Sequence, residues 1–317
     1  MAYKILALCG GGIRGIISAR ILERLYQLDH DLLSQATVLA GTSTGCDIIS
    51  YHLAKKTAPE IFRIYRDEAW LFFVDGKKDP SRPAYSIQKL ADQQDKLHPP
   101  TMRLRDVPGQ HVVMTAFDIV QWRPVIFNSF PKSDTLDDLL TDAVVSSSAM
   151  PGMFGAWKGK IDGAFVSHDP SLAALSCALG LSWDGQAPRF EDISIICIGT
   201  GLMKNWVHED ATDWGANQMQ YAKDVPIMGA DFNVYPLFIN GGPSITGNAS
   251  LNGTSTDVTQ MQMRHILGDK RYAYLDAVLD RFVPENETNQ QTLDYIVAQA
   301  DKVDLGLALE VIAAHWG

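Results

Sequence analysis

Residues 38–46 read Val-Leu-Ala-Gly-Thr-Ser-Thr-Gly-Cys, an apolar run that leads directly into a Gly-x-Ser-x-Gly pentapeptide at residues 41–45. A helix-like stretch follows at once, over residues 46–55. Small residues at such a strand-to-helix turn hold a serine hydroxyl clear of its neighbours, and the glycines tolerate the strained backbone. The N-terminus of the following helix also offers free N–H groups to a developing negative charge. The pattern therefore predicts Ser43 as a nucleophile.

The composition is typical of a globular protein with a large core. The chain has 317 residues, of which 46% are hydrophobic and 20% charged. A formal net charge of −10 argues against a nucleic-acid partner and against purely electrostatic docking on anionic lipid. Any membrane contact would therefore depend on apolar side chains. No apolar run approaches the roughly 18 residues that a membrane-spanning helix needs.

The four cysteines favour a reducing compartment. Cys9, Cys46, Cys177 and Cys197 are far apart and form neither a C-x-x-C pair nor a Cys/His metal-ligand pattern. We therefore expect buried, reduced thiols, with no disulfide, no metal and no cofactor. No signal peptide is recognisable, because the apolar run at residues 5–9 is too short. The expected location is the cytoplasm, with peripheral contact at membranes as an option.

Strand-like and helix-like segments alternate through the first two thirds of the chain. Apolar runs predict strands at residues 3–9, 37–40, 111–117, 124–128 and 192–198. Helical spacing of apolar residues predicts helices at residues 14–28, 46–55, 58–68, 135–147 and 171–179. This alternation indicates an α/β fold with a mostly parallel sheet covered by helices on both faces.

The last third of the sequence is predicted to be mainly helical. It ends in an amphipathic helix at residues 305–316, and a Gly/Ser/Thr/Asn-rich stretch at residues 241–256 predicts a long loop, either a surface excursion or a lid. No repeat or linker divides the chain. We therefore expect one domain over residues 1–317, with a core at about 4–203 and a helical part at about 204–317 packed on it.

A glycine-rich loop lies between the first predicted strand and the first helix, Gly10-Gly11-Gly12-Ile13-Arg14-Gly15. It satisfies the G-x-G-x-x-G dinucleotide pattern, but that fold needs an acidic residue at the end of the second strand, which here ends in Gly-Thr-Ser. Alternatively, the N–H groups of Gly10, Gly11 and Gly12 converge on an oxyanion, supported by the dipole of the helix. Arg14 either helps to hold this loop, meets a phosphate, or is a surface residue of the first turn.

Three residues are candidates for the base that Ser43 needs. Asp162 stands in Lys-Ile-Asp-Gly-Ala at residues 160–164, although Asp-Gly is also an ordinary turn. Asp118 ends the predicted strand at 111–117, and His168 lies close after Asp162. The other histidines form no motif.

The chain resembles the patatin-like phospholipases in three pieces taken in order: the glycine loop at residues 10–15, the serine motif at 41–45, and Asp162-Gly163-Ala164. Residues 147–151 and the strand closing at 199–201 are also similar, so the resemblance covers roughly residues 4–203. The sequence departs from the usual family pattern at Ala164, which is a tolerated variant, and at Cys46 and His168-Asp169, which bear on the pocket lining and on substrate choice.

The resemblance implies a three-layer α/β/α fold and a Ser–Asp dyad without histidine. Ser43 would be the nucleophile, Asp162 the base, Gly10–Gly12 the oxyanion loop and Arg14 a supporting residue. The implied activity is a lipid acyl hydrolase that cleaves fatty-acyl esters of glycerophospholipids or lysophospholipids through an acyl-enzyme. The alternatives are a soluble carboxylesterase or thioesterase and, from another class, a nucleotide-binding module built on residues 10–15.

The aromatic segment Ala-Trp-Leu-Phe-Phe-Val at residues 69–74 is a candidate for lipid access or shallow membrane contact. The alternative is that these residues end a helix and pack in the core.

Overall fold

The computed structural model describes residues 2–74, 76–77, 79, 81–180, 187–203, 212, 238–239, 242–243, 250–281 and 283–317. The strands are β1 Tyr3–Leu8, β2 Val38–Gly41, β3 His111–Asp118, β4 Arg123–Asn128, β5 Lys160–Ile161, β6 Ile193–Ile198, β7 Leu202–Met203, β8 Phe238–Ile239, β9 Gly242–Pro243, β10 Tyr272–Leu275 and β11 Val278–Leu279. The α-helices are α1 Gly15–Tyr26, α2 Leu32–Gln35, α3 Thr44–Leu53, α4 Ala58–Asp67, α5 Ile87–Leu97, α6 Leu140–Ser147, α7 Ser171–Gly180, α8 Ser250–Leu267, α9 Gln290–Ala300 and α10 Gly306–His315.

The central sheet has seven strands in the order β10-β6-β1-β2-β3-β4, with β5 also paired to β3. Neighbouring strands from β10 to β3 are parallel, whereas β4 and β5 run antiparallel to β3. Leu8 lies opposite both Gly41 and Ile198. Since these three parallel strands end at the same level, the loops that follow β1, β2 and β6 lie side by side at the carboxyl ends of the strands.

The alternation of side chains along β1 explains why helices cover both faces of the sheet. Leu6 and Leu8 belong to a core cluster shared with α1, α3, α4, α9 and α10. Ile5 and Ala7 point to the opposite face and belong to a second cluster with residues of α7 and α8. The result is the predicted three-layer α/β/α arrangement with a mostly parallel sheet.

The last third of the chain contributes a strand of the central sheet that the sequence analysis did not predict. Strand β10 pairs with β6 over the register Tyr272↔Ile195 to Leu275↔Ile198, so a segment after residue 204 completes the edge of the sheet. Tyr272 and Leu275 are almost fully buried. A four-residue strand between polar segments gives too short an apolar run to be recognised by periodicity alone.

Two predicted boundaries are wrong. Residues 250–256 were expected in a loop but belong to α8, whose later residues Met263 and Leu267 pack in the second core cluster, so tertiary packing outweighs weak local helix propensity. The helix expected at 135–147 begins only at Leu140, because the hydroxyl of Thr135 accepts a hydrogen bond from the N–H of Asn128 at the end of β4.

The remainder of the predicted loop, residues 241 and 244–249, lies outside the described residues, as does most of 204–237. The single-domain organisation over residues 1–317 therefore stays a prediction. In the described ranges, no helix combines the length and the hydropathy required to cross a bilayer.

Candidate active site

Ser43 occupies the turn between β2 and α3 in a strained backbone conformation. Its φ is 52° and its ψ is −124°, which is rare for a residue with a side chain and costs on the order of 1–3 kcal/mol. The flanking glycines are required by close packing, since a Cβ on Gly45 would lie 2.2 Å from the carbonyl oxygen of Leu8. The N–H of Ser43 donates to the Oγ of Ser147, 2.9 Å away. The predicted turn is therefore formed, with the serine at its apex.

The structure brings Ser43 and Asp162 together across 119 residues of sequence. The Oγ of Ser43 donates to Oδ2 of Asp162 at 2.8 Å, and Oδ1 accepts from the N–H of Ala164 at 2.8 Å. Asp162 is fully buried. The pKa of Asp162 is raised to about 8, chiefly by burial and to a smaller extent by the charges of Glu285 and Asp47, while the hydrogen bonds from Ala164 and Ser43 oppose the shift. Asp162 is thus a much stronger base than a free aspartate.

The glycine loop lies against the nucleophile, since a Cβ on Gly10 would approach the Cβ of Ser43 to 3.2 Å. The N–H of Gly10 donates to the carbonyl of His168 at 3.3 Å, so this group is already engaged. Gly11 and Gly12 have φ values of 148° and 57°, in the region that favours glycine. Within the described part of the chain, no hydrogen bond engages the N–H groups of Gly11 and Gly12, and the oxyanion role of the loop stays a prediction.

Arg14 and Glu285 form a buried ion pair beside the glycine loop. The Nη2 of Arg14 donates to Oε1 of Glu285 at 3.0 Å, and both side chains are only 2–3% exposed. The carbonyl of Glu285 also accepts from the N–H of Ile13 at 2.8 Å, and a Cβ on Gly12 would lie 2.3 Å from that carbonyl oxygen. The option that Arg14 is a surface residue is therefore wrong. Glu285 stands in no motif, and sequence analysis missed it.

The two other candidate bases have different environments. Burial, with the nearby charge of Arg14, lowers the pKa of His168 to about 3, so its imidazole is a weak base at neutral pH. Oδ1 of Asp118 accepts from the N–H groups of Val120 and Gln121, both at 2.8 Å, and the pKa of Asp118 is lowered by these bonds. Asp118 therefore stabilises the turn between β3 and β4.

A largely apolar cavity opens beside Ser43. Its walls include Ile13, Phe72, Phe73, Leu90, Met153 and Phe154. The predicted aromatic segment forms a 3₁₀ helix, Ala69–Phe73, whose Phe72 and Phe73 line the cavity while Leu71 is 47% exposed. Most of this segment therefore packs against the protein, and its contact with a membrane stays a prediction.

One carboxyl group interrupts the apolar lining. Asp47 lies one helical turn after Ser43 on α3 and borders the same cavity. It accepts hydrogen bonds from the Oγ of Ser148 at 3.2 Å and from the Nε2 of Gln94 at 3.3 Å. Burial raises the pKa of Asp47 to about 7, against the effect of the Ser148 bond. Sequence analysis did not single out Asp47, because its polar partners come from distant segments.

All four cysteines are free and buried, as expected. Cys9, Asp169 and Cys197 place one donor atom each within 4.8 Å of one another, a geometry that could hold a metal ion and that their sequence spacing does not reveal. A thiol must lose its proton to bind a metal, whereas burial raises the pKa of Cys197 well above its ordinary value. A metal bound there would therefore have to displace this proton.

Comparison with known proteins identifies the family of the chain. The sequence model of the patatin-like phospholipase family matches residues 6–175. Teg of Priestia megaterium is 25% identical over 99% of both chains, and CotR of Bacillus subtilis is 24% identical over 99% of this chain and 98% of its own. Patatin-like protein 4 of Arabidopsis thaliana is 30% identical over 71% of this chain and 67% of its own.

Among solved structures, the crystal structure of VipD from Legionella pneumophila aligns with 99% of this chain and 67% of its own, at 12% identity and a TM-score of 0.47. The family match alone spans more than half of the chain. The chain belongs to the patatin-like phospholipase family, and this membership supports lipid acyl hydrolysis as its general class of activity.

Proposed function

We propose that this protein hydrolyses fatty-acyl esters of glycerophospholipids or lysophospholipids, with Ser43 as nucleophile and Asp162 as base. The observation that carries the proposal is the 2.8 Å hydrogen bond from the Oγ of Ser43 to Oδ2 of Asp162. It joins a serine on a strained strand-to-helix turn to a fully buried carboxylate. A nucleophile within hydrogen-bond reach of its base is the arrangement that acyl transfer requires.

In the first half of the reaction, the Oγ of Ser43 attacks the ester carbonyl carbon while Oδ2 of Asp162 takes the hydroxyl proton. The N–H groups of Gly11 and Gly12 stabilise the oxyanion of the tetrahedral intermediate. When the intermediate collapses, the carbon–oxygen bond to the alcohol breaks, and Asp162 returns its proton to the leaving alkoxide. The fatty-acyl group is then bound to Ser43.

Water completes the cycle with the same residues. Asp162 accepts a proton from the attacking water, the second tetrahedral intermediate breaks the bond to Oγ, and Ser43 recovers its proton as the fatty acid leaves. Arg14 and Glu285 act indirectly, because their ion pair and the backbone contacts of Glu285 hold the glycine loop against Ser43.

The environment of the site supports a lipid substrate over the alternatives. The apolar cavity beside Ser43 suits an alkyl chain better than the short acyl group of a small soluble ester. A nucleotide-binding module is disfavoured because the glycine loop packs on Ser43 and on Glu285, and because Arg14, the cation beside the loop, is already paired with Glu285. We place the enzyme in the cytoplasm, where four free, buried cysteines are the usual state.

The test is a matched set of variants, each checked for folding by circular dichroism and assayed on one soluble ester. Ser43→Ala should lose activity by several orders of magnitude and no longer react with a fluorophosphonate probe. Asp162→Asn should lose about 10⁴-fold in turnover, by analogy with aspartate loss in triads. Incubation of the wild type with a total lipid extract, followed by lipid profiling, should then identify the released fatty acids and lysolipids.

His168→Ala and Asp118→Asn are the controls in this set, and both should stay within about tenfold of the wild type. If His168→Ala proved as inactive as Asp162→Asn while remaining folded, the dyad would be replaced by a histidine-relayed mechanism. If Ser43→Ala retained more than a few per cent of the activity, Ser43 would not be the nucleophile.

A further inference from the structure

The turn between β3 and β4, residues 119–122, is unusually apolar for a solvent-exposed segment. Val120 is 79% exposed and Trp122 is 77% exposed, more than any other large hydrophobic residue in the described ranges. Ile119 is 40% exposed beside them. We call residues 119–122 the hairpin tip. A cluster of exposed apolar side chains marks an interaction surface more often than a single exposed apolar side chain does.

The hairpin tip is held in a fixed conformation. Oδ1 of Asp118 accepts the N–H groups of Val120 and Gln121, and the N–H of Ile119 donates to the carbonyl of Gly159 at 3.0 Å. The ring of Trp122 packs edge-on against Phe117 with a centroid separation of 5.5 Å. These hydrogen bonds and this ring contact therefore hold the apolar side chains in place at the surface.

The register of the sheet places the hairpin tip beyond the level of the nucleophile. Gly41, the last residue of β2, pairs with Met114 of β3. Strand β3 continues to Asp118, four residues further, which at about 3.3 Å per residue extends it by about 13 Å in the same direction. Ser43 follows the carboxyl end of β2. The hairpin tip therefore projects outward on the same side of the sheet, where the carboxyl ends of the parallel strands carry the active site.

The hairpin tip is also tied directly to the catalytic residues. Phe117 and Asp118 pair with Ile161 and Lys160 of β5, and Asp162 follows immediately. The segment that precedes β5 begins with cavity-lining residues, including Met153, and reaches the tip at Gly159. The stretch from Met153 to Asp162 therefore begins in the cavity wall, bonds the hairpin tip at Gly159 and ends at the base.

The charges around the hairpin tip differ from those of the whole chain, which carries −10. Arg123 adjoins the tip, and Lys160 lies near Asp118, whose pKa both cations help to lower. Lys158 is exposed and pairs with Asp142 at 2.6 Å. Asp138 also lies close enough to Lys160 for that cation to lower its pKa. With the Lys158–Asp142 pair neutral, two cations face two carboxylates, and the surroundings of the tip are close to neutral.

We propose that the hairpin tip docks on the surface of a phospholipid bilayer. Tryptophan prefers the membrane–water interface, Val120 and Ile119 can enter the boundary of the acyl chains, and Arg123 and Lys160 face the headgroups. Docking brings the edge of the sheet that bears Ser43 toward the lipid. The inference rests on the proposed function, because docking serves this enzyme only if its substrate is a lipid at the surface of a membrane.

The test measures vesicle binding in the full chain with Ser43→Ala, so that no lipid is hydrolysed and binding is read separately from catalysis. The probes are vesicles of phosphatidylcholine alone and of phosphatidylcholine with phosphatidylglycerol, separated by flotation. Val120→Ser with Trp122→Ser should weaken partitioning at least tenfold on both. Phosphatidylglycerol should strengthen vesicle binding through Arg123 and Lys160, and Arg123→Gln should remove only part of that increase. Val278→Ser is the matched control, because Val278 is 55% exposed outside the hairpin tip, and it should stay within twofold.

The tip variants are also made with Ser43 intact. Hydrolysis of a soluble ester should stay within twofold of the wild type, which shows that the fold and the site are preserved, while hydrolysis of vesicle lipid should fall with binding. Equal vesicle binding by the tip variant and its parent would overturn the inference, as would no binding by either. A concentration-dependent dimer lost on the same substitutions would assign the surface to a second copy of the chain instead. If the soluble ester were not hydrolysed by the wild type, the proposed function would fail while the binding result still stood.

Discussion

Activity on a soluble ester should rise with pH across the neutral range and level off only above pH 8. The base in the proposed mechanism is the carboxylate of Asp162, so the reactive fraction of enzyme is the fraction in which this group has lost its proton. Burial raises the pKa of Asp162 to about 8, and the charges of Glu285 and Asp47 act in the same direction. Lowering the pH therefore protonates the base and removes activity.

The size of the effect follows from that pKa. A group with a pKa of about 8 is ~1% ionised at pH 6, ~9% at pH 7, ~50% at pH 8 and ~91% at pH 9. The value of kcat/KM should therefore rise about ninefold between pH 6 and 7, about fivefold between pH 7 and 8, and less than twofold between pH 8 and 9.

The assay is the initial rate on a short-chain soluble ester well below KM, in buffers of constant ionic strength, because kcat/KM then reports the free enzyme. Asp118→Asn is the matched control and should leave the profile in place, since Asp118 stabilises a turn. Asp47→Asn should move the profile toward lower pH, because the charge of Asp47 helps to raise the pKa of Asp162.

Two outcomes would refute the argument. A rate that is flat from pH 6 to 9 would mean that the base has an ordinary aspartate pKa near 4, or that it is His168 with its pKa lowered to about 3. A profile that levels off near pH 7.5 would indicate a histidine with an ordinary pKa of about 6.5.

Three further outcomes are expected. Gly12→Ala should reduce turnover by about 100-fold, because the new Cβ would lie 2.3 Å from the carbonyl oxygen of Glu285 and displace an oxyanion donor; turnover near the wild-type value would contradict this role. Glu285→Gln should lower the free energy of unfolding by about 3 kcal/mol in a urea titration, since Arg14 would lose the carboxylate of a buried ion pair, and an effect below about 1 kcal/mol would show that the pair is dispensable. Trp70→Ser with Phe73→Ser should impair vesicle binding as well as stability; lost stability without a selective loss of binding would assign the segment to packing alone.

Much of the catalytic core could be predicted from local sequence pattern. The strand-to-helix turn at Ser43, the glycine loop and the Asp-Gly turn each depend on backbone conformations that only certain residues adopt, so their letters are informative by themselves. The alternation of apolar residues along the strands likewise indicates a sheet covered on both faces, as Leu6 and Ile5 show by packing in different clusters. Each of these features is encoded by a short segment of a few consecutive residues.

Other features depend on contacts between segments that are far apart in the chain. The pairing of β10 with β6, and the contact of Glu285 with Arg14 across 271 residues, leave no local pattern that could be recognised. The raised pKa values of Asp162 and Asp47 arise from burial, which is a property of the assembled core.

The hairpin tip shows the same division. Its letters predict only a turn between two strands, whereas the strand register decides that Trp122 projects past Ser43 at the same edge of the sheet. The sequence by itself therefore determined which residues are chemically suited to the site. The tertiary structure decided their pKa values, their supports and their orientation toward a surface, because dielectric environment and long-range pairing exist only once the chain has folded.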